Sequence, residues 1–363
     1  MIKTYCFAVC FVFWNIHGLC YYSSMEIKEK TTDIPIFSSA VYDFYFDGLD
    51  VAVFDIETTG LSPENNAVVL AGFFMPSPKG GVVRQYLAED LSEEKELISA
   101  VLNDMKDLDV LITYNGKSFD MPFLKARASR MGRPDLHLPY VLDIYKAVKD
   151  HSPIKSFLPN LKQKTLETFM GLWDNRTDMI SGKESAEMYF DYIDKGDKKI
   201  KEKILLHNSD DVIQLYQLLK VTGKTDFHKA MYHLGYPIKK GSWSGIVSNI
   251  SFSRQRLLVK GDQLNDPADY TCFAGEDNDY SSSFSSAKRE FTTEILLLNE
   301  KNFLFADLRK PSIWNQDSEN QFKSYPGYEN GYIIIRNGSD INYRETNHLI
   351  KLILEGMVEK CII

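Results

Sequence analysis

The chain has 363 residues, 44% of them apolar and 25% charged, the composition of a soluble globular protein long enough for two domains. Fifty acidic against 42 basic residues leave a formal net charge of −8, which argues against a general basic coat for nucleic acid but not against a site that gathers carboxylates. The five cysteines (Cys6, Cys10, Cys20, Cys272 and Cys361) form no CxxC pair, so neither a disulfide framework nor a zinc site is indicated, and a reducing, cytoplasmic setting is expected.

Met1 to Ser24 carries Lys3 and an apolar run from Tyr5 to Trp14 that is short for a bilayer span. A signal-peptide core without a clean cleavage site, a membrane segment, and translation starting at Met25 are three open readings of this 1–24 segment. Regular structure is expected from Leu49. Leu49 to Glu57 is apolar on both faces until Asp55, as in a central buried strand, and strands follow over Ala67–Met75 and Gly81–Ala88. Ser92 is expected to cap a helix running to Met105. A short strand at Val110–Tyr114, a helix at Phe119–Met131 ending near Gly132, and a strand at Leu138–Asp143 come next. Helices are then expected over Lys164–Met170, Glu184–Asp194 and Ile204–Leu219. Three strands with short links predict an antiparallel meander, and the later strand–helix alternation predicts parallel additions to the same sheet. That mixed order is the one found in ribonuclease H-like folds.

From about Lys224 the pattern changes. Strands are predicted over Ile246–Lys260, Phe291–Leu298, Phe303–Leu308 and Gly331–Arg336, with a serine-rich loop at Asp277–Ser286 and a terminal helix at Asn347–Glu359. The expected organisation is an apolar segment over 1–24, an α/β domain over 45–222 and a smaller β-rich region over 225–363 of unassigned role.

Asp55 and Glu57 stand two apart at a strand end, so both carboxylates share one face. Hard oxygen donors of this kind suit Mg²⁺ or Mn²⁺. Asp120 stands where a helix begins, a position suited to a carboxylate. His207 and Asp211 are four apart and share a helix face, whereas Asp210 points about 100° away. His207 is therefore a candidate general base, or a group that orients water, set against a plainer reading as a helix-start histidine bonding its surroundings. Thr58, Asn115 and Phe119 are candidate substrate contacts, set against plainer readings of Asn115 as a turn former and Phe119 as core packing. Lys117, Lys125, Arg127, Arg130 and Arg133, with Lys198, Lys199, Lys201 and Lys203, are basic residues available to phosphate or simply to solvent.

The run Phe54-Asp55-Ile56-Glu57-Thr58-Thr59-Gly60-Leu61 resembles the first motif of DEDD nucleases, and Asn115 to Asp120 resembles the second. The third, His207 to Asp211, has the spacing of the tyrosine subclass with histidine in its place. With Tyr114-Asn115-Gly116, Phe119-Asp120 and His207-Asn208 to Asp211-Val212, the stretch from Val51 to Lys220 resembles YprB-type ribonuclease H-like domains of the DEDD 3′–5′ exonuclease superfamily. The resemblance implies a metal-dependent 3′–5′ exonuclease acting on RNA or single-stranded DNA. Asp55, Glu57, Asp120 and Asp211 would hold two Mg²⁺ or Mn²⁺ ions roughly 3.5–4 Å apart. A binding module with little catalysis and an endonuclease on the same fold are the competing readings.

Overall fold

An octet such as Val51–Thr58, apolar on both faces, is stable only with strands on either side and helices above and below. The computed structural model, which describes residues 25–133, 136, 138–172, 180, 182–276, 279–310 and 320–362, places it in that setting. The 1–24 segment lies outside the described residues. Among them, no helix is long and apolar enough to cross a membrane. The chain divides into two compact units: Met1–Ser39 with Gly48–Lys224, and Ala40–Asp47 with Thr225–Ile363. The second thus takes in helix α1 (Ala40–Phe46), which the sequence reading did not anticipate.

In the first unit, β1 (Glu26–Thr31), β2 (Val51–Thr58), β3 (Val68–Met75), β4 (Val82–Leu87), β5 (Val110–Thr113) and β6 (Tyr140–Asp143) form one sheet in the order β1-β4-β3-β2-β5-β6. Pairing is antiparallel from β1 to β2 and parallel for β5 and β6. The connections decide this. Short links can only fold a strand back, whereas the helices α2 (Glu94–Met105) and α3 (Asp120–Arg130) supply the crossovers that parallel pairing needs. Leu97, Ile98, Val101, Phe123 and Leu124 of these helices pack on Phe54, Ile56 and Phe73 of one sheet face. After α4 (Ile144–His151) and α5 (Gln163–Phe169), the pair α6 (Gly182–Lys195) and α7 (Lys198–Gln217) completes the unit. Tyr189, Ile204 and Leu205 of that pair pack with Val69, Leu70 and Leu87. The result is a mixed sheet with helices around it.

Two expectations here are corrected. Ser92 is not a cap: its N–H donates to the Asp90 carboxylate at 2.6 Å, and Asp90 opens a 3₁₀ turn before α2. α7 begins at Lys198 rather than Ile204, because the Asp197 side chain accepts from Lys199 N and extends the helix by more than a turn.

The second unit holds α8 (Phe227–Leu234) and an antiparallel sheet of β7 (Tyr236–Lys240), β8 (Trp243–Ser253), β9 (Arg256–Asn265), β10 (Tyr270–Cys272), β11 (Tyr280–Ser285) and β12 (Glu290–Leu296). A smaller sheet of β13 (Leu298–Glu300), β14 (Phe303–Asp307), β15 (Tyr332–Asn337) and β16 (Asp340–Ile341) leads to α9 (Tyr343–Met357). The strand expected over Ile246–Lys260 is a hairpin, turned by Arg254 at φ 54°. The stretch read as a serine-rich loop contains β11: Tyr280, Ser282 and Phe284 alternate inward, and Ser282 Oγ lies 2.6 Å from Thr293 Oγ1 on the neighbouring strand.

Candidate active site

The end of β2 carries Asp55 and Glu57 on the face that α7 crosses, and Glu57 is buried. The chain then leaves the sheet in a pinned loop. Thr58 Oγ1 donates to Gly60 O (2.8 Å), and Ala67 N donates to Thr59 Oγ1 (3.0 Å). Glu94 accepts from Val68 N and from Arg127 Nε, both at 2.8 Å, while Arg127 also donates to Pro63 O (3.1 Å). Arg130 holds Pro63 O and Glu64 O, and Lys201 pairs with Glu26 and Glu89. These three cations, read from sequence as available to phosphate or to solvent, each hold intramolecular acceptors.

Beyond β5 the backbone turns sharply at Asn115, whose φ is 64°. Asparagine tolerates this left-handed conformation better than most residues. The carboxylate of Asp143, fully buried at the end of β6, accepts from Asn115 N (2.9 Å), Lys117 N (3.1 Å) and Lys146 N (3.3 Å). It therefore ties the second motif to the start of α4. Asp120 opens α3, and its Oδ1 accepts from Ile56 N at 3.2 Å, between Asp55 and Glu57 in sequence. Phe119 is half-buried, its ring 5.6 Å from that of Phe123. Thr58 is buried.

The third group of residues comes from α7. His207 Nε2 lies 3.4 Å from Glu57 Oε1 and 3.5 Å from Asp211 Oδ2. Gln163 of α5 donates to the Asp211 carbonyl (3.0 Å) and to Glu167 Oε1 (2.9 Å), fixing α5 against this turn of α7. Asn208 is fully buried and donates from Nδ2 to Asp55 Oδ2 at 3.0 Å.

Electrostatics tie the groups into one site. Burial pushes Asp55 well above the usual carboxylate range, and the charges of Asp120, Asp211 and Glu57 add to the shift against a smaller opposing effect of His207. Burial takes Asp120 up to about 7, opposed by its backbone hydrogen bonds and reinforced by Asp143. Acids whose charges raise a buried neighbour's pKa favour a proton or a cation among them. The donors suit a metal ion: one atom each of Glu57, His207 and Asp211 lies within 4.8 Å of the other two. Two donors ~2.1 Å from one ion, at 90–110° to each other, lie roughly 3.0–3.4 Å apart, close to the separations of His207 from its two carboxylates.

Asp143, Gln163 and Glu94 were not singled out from sequence, and Asn208 was named within the third motif without a role. Asp143 carried a readable signal, an acid between a strand and a helix, which is the signature of an N-cap. The other three act across elements distant in sequence.

A family model described as RNase H superfamily matches residues 52–222. A DNA polymerase of Methanocaldococcus jannaschii is 29% identical over 151 residues, 40% of this chain and 9% of the polymerase. The uncharacterized protein YprB of Bacillus subtilis is 26% identical over 227 residues, 56% of this chain and 49% of YprB. The chain thus spans less than half the length of either relative. Among solved structures, the family B DNA polymerase from the archaeon Pyrobaculum calidifontis matches with a TM-score of 0.40 and 17% identity, over 55% of this chain and 29% of the polymerase. Residues 52–222 thus form an RNase H-like domain, and that stretch is similar to YprB.

Proposed function

We propose that the first unit is a metal-dependent 3′–5′ exonuclease acting on RNA or single-stranded DNA. The observation that carries this reading is the convergence of Asp55, Glu57, Asp120 and Asp211 from β2, α3 and α7, where burial first, and then the charges of the other three acids, raise Asp55. In this reading the four carboxylates hold two divalent ions, Mg²⁺ or Mn²⁺. Bound there, the ions supply activation of water and neutralisation of charge at the scissile phosphate. The residues do the rest. Asp120 and Asp55 fix the sheet end of the site, Glu57 and Asp211 close it beside α7, and His207, when its Nε2 is not itself a donor to an ion, accepts the proton lost by the attacking water. Thr58, Asn115 and Phe119 border the path of the strand, Phe119 offering a ring face to a base. The second unit carries no assigned chemistry in this proposal.

The test is cleavage of 5′-end-labelled and 3′-end-labelled single strands of RNA and DNA with Mn²⁺, by wild type and Asp55→Asn. The 5′-labelled strand should shorten stepwise, circular strands should survive, and Asp55→Asn should slow the reaction about a thousandfold. Wild-type protein that binds the strands and cuts neither would sink the enzyme reading in favour of a binding module. Cutting of circles would make it an endonuclease.

A further inference from the structure

Asp55 on β2 pairs with Gly72 on β3, and Gly72 pairs with Gln85 on β4. Cross-strand partners share a face, so the three form a row across the sheet with the glycine in the middle. α7 lays the Asn208 side chain over that glycine: a Cβ at position 72 would meet Asn208 Oδ1 at 2.1 Å. Only an absent side chain leaves room for the amide. Asn208 spans the gap from one end of the row to the other. Its Nδ2 donates to Asp55 Oδ2 (3.0 Å), and its Oδ1 accepts from Gln85 Nε2 (2.9 Å). Asn208 is fully buried, and Gln85 nearly so.

The polarity of this chain is fixed from its far end. Gln85 Nε2 also donates to the Leu205 carbonyl at 2.8 Å. A carbonyl only accepts, so it holds the NH₂ side of Gln85 toward α7; that NH₂ demands an acceptor from Asn208, which leaves Nδ2 for the carboxylate. We propose that Gln85, acting through Asn208 across Gly72, is a positioning relay that anchors Asp55 Oδ2 and presents Oδ1 to the divalent ion, and so sets the metal affinity of the site. This rests on the reading of Asp55 as a ligand. Gln85 and Asn208 are positioning residues; neither touches substrate in this scheme.

Gln85→Glu reverses the relay. The replacement offers acceptors alone, Asn208 turns its NH₂ toward it, and Oδ1 then faces the Asp55 carboxylate. The experiment is Mn²⁺ binding to the full chain without nucleic acid, followed by electron paramagnetic resonance. Gln85→Glu and Asn208→Leu should each weaken binding about 10-fold to 100-fold, as lost hydrogen bonds to metal ligands do elsewhere. The double variant should bind no more weakly than Asn208→Leu alone, because Gln85 acts through Asn208. Gln85→Met removes the donor without adding charge, and should weaken binding less than Gln85→Glu while keeping the wild-type circular dichroism; it carries the test if Gln85→Glu does not fold. A Mn²⁺ dissociation constant within twofold of wild type in the folded Gln85 variants would overturn the relay and leave the nuclease reading intact. Wild-type protein that binds no Mn²⁺ would overturn both.

Discussion

In the second unit Gln263 is buried with both ends of its amide engaged. Its Oε1 accepts from Trp243 Nε1 (3.0 Å) and Ala268 N (2.9 Å), and its Nε2 donates to the carbonyls of Ala268, Ser285 and Glu290 at 3.1, 3.1 and 3.3 Å. In the first unit the buried polar residues Glu57 and Asp120 are acids, set among other acids. A neutral amide with matched partners can be buried at little net cost, whereas a carboxylate among like charges opposes folding. The contrast teaches where to look for chemistry: Gln263 organises a fold, whereas the acids are held together against their own repulsion.

That contrast can be broken. The largest effect expected is from Gln263→Leu, which leaves a buried indole N–H, an amide N–H and three carbonyls short of a partner; about 3–5 kcal/mol of stability should go, read as a fall in thermal unfolding temperature. A loss under about 1 kcal/mol would mean that the amide network does not organise the second unit.

Next comes acid. Burial, with Lys351, Arg344 and His228 nearby, takes His348 down to about 4, and burial with Arg344 takes His228 to about 4. Both are neutral in the fold and bond tyrosine hydroxyls at 2.8 Å through Nδ1, His228 to Tyr45 and His348 to Tyr325. The unfolded chain takes up protons near the ordinary value of 6.5 while the fold does not, so stability is full above about 6.5 and falls as the pH drops toward 4. His348 should account for about 2–3 kcal/mol of that loss, and the more exposed His228 for less. Unfolding temperatures from pH 7.5 to 4.5 should fall less steeply in His348→Gln; an unchanged slope would assign the acid sensitivity elsewhere.

The smallest effect has the opposite sign. Asp120→Asn removes a buried like charge and keeps an oxygen for Ile56 N, so in chelator the variant should be more stable by about 1–2 kcal/mol, read as a higher unfolding temperature. It should also gain less from added Mn²⁺ than wild type does. A destabilised Asp120→Asn would show that the acids are not held against their own repulsion.

What could be read from the sequence was whatever repeats at short range. The run around β2 announced a central strand, and the period of two put Asp55 and Glu57 on one face. β1 was missed because its residues, Glu26 to Thr31, are mostly exposed and charged and show no core face. α4 was missed although Asp143, between a strand and a helix, carried a cap signal; its second bond, to the turn at Asn115, was not legible. The Asp55–Gly72–Gln85 row depends on strand register, which no local pattern specifies. The third motif was legible as a helix face, but the part played by Asn208 within it was not.

β1 has a consequence of another kind. It covers β4 along its whole length, from Glu26 opposite Leu87 to Thr31 opposite Val82, and turns Glu29 and Lys30 to solvent. Among the described residues the sheet therefore ends on one side in a charged border, and the amides and carbonyls of β4 are covered. Charged residues on an edge strand discourage a second sheet from adding to it. Without that border, Val82–Leu87 would become the rim, a strand of mostly buried residues ready to recruit other chains into aggregates. A strand with almost no core of its own thus guards the solubility of the domain that carries the site.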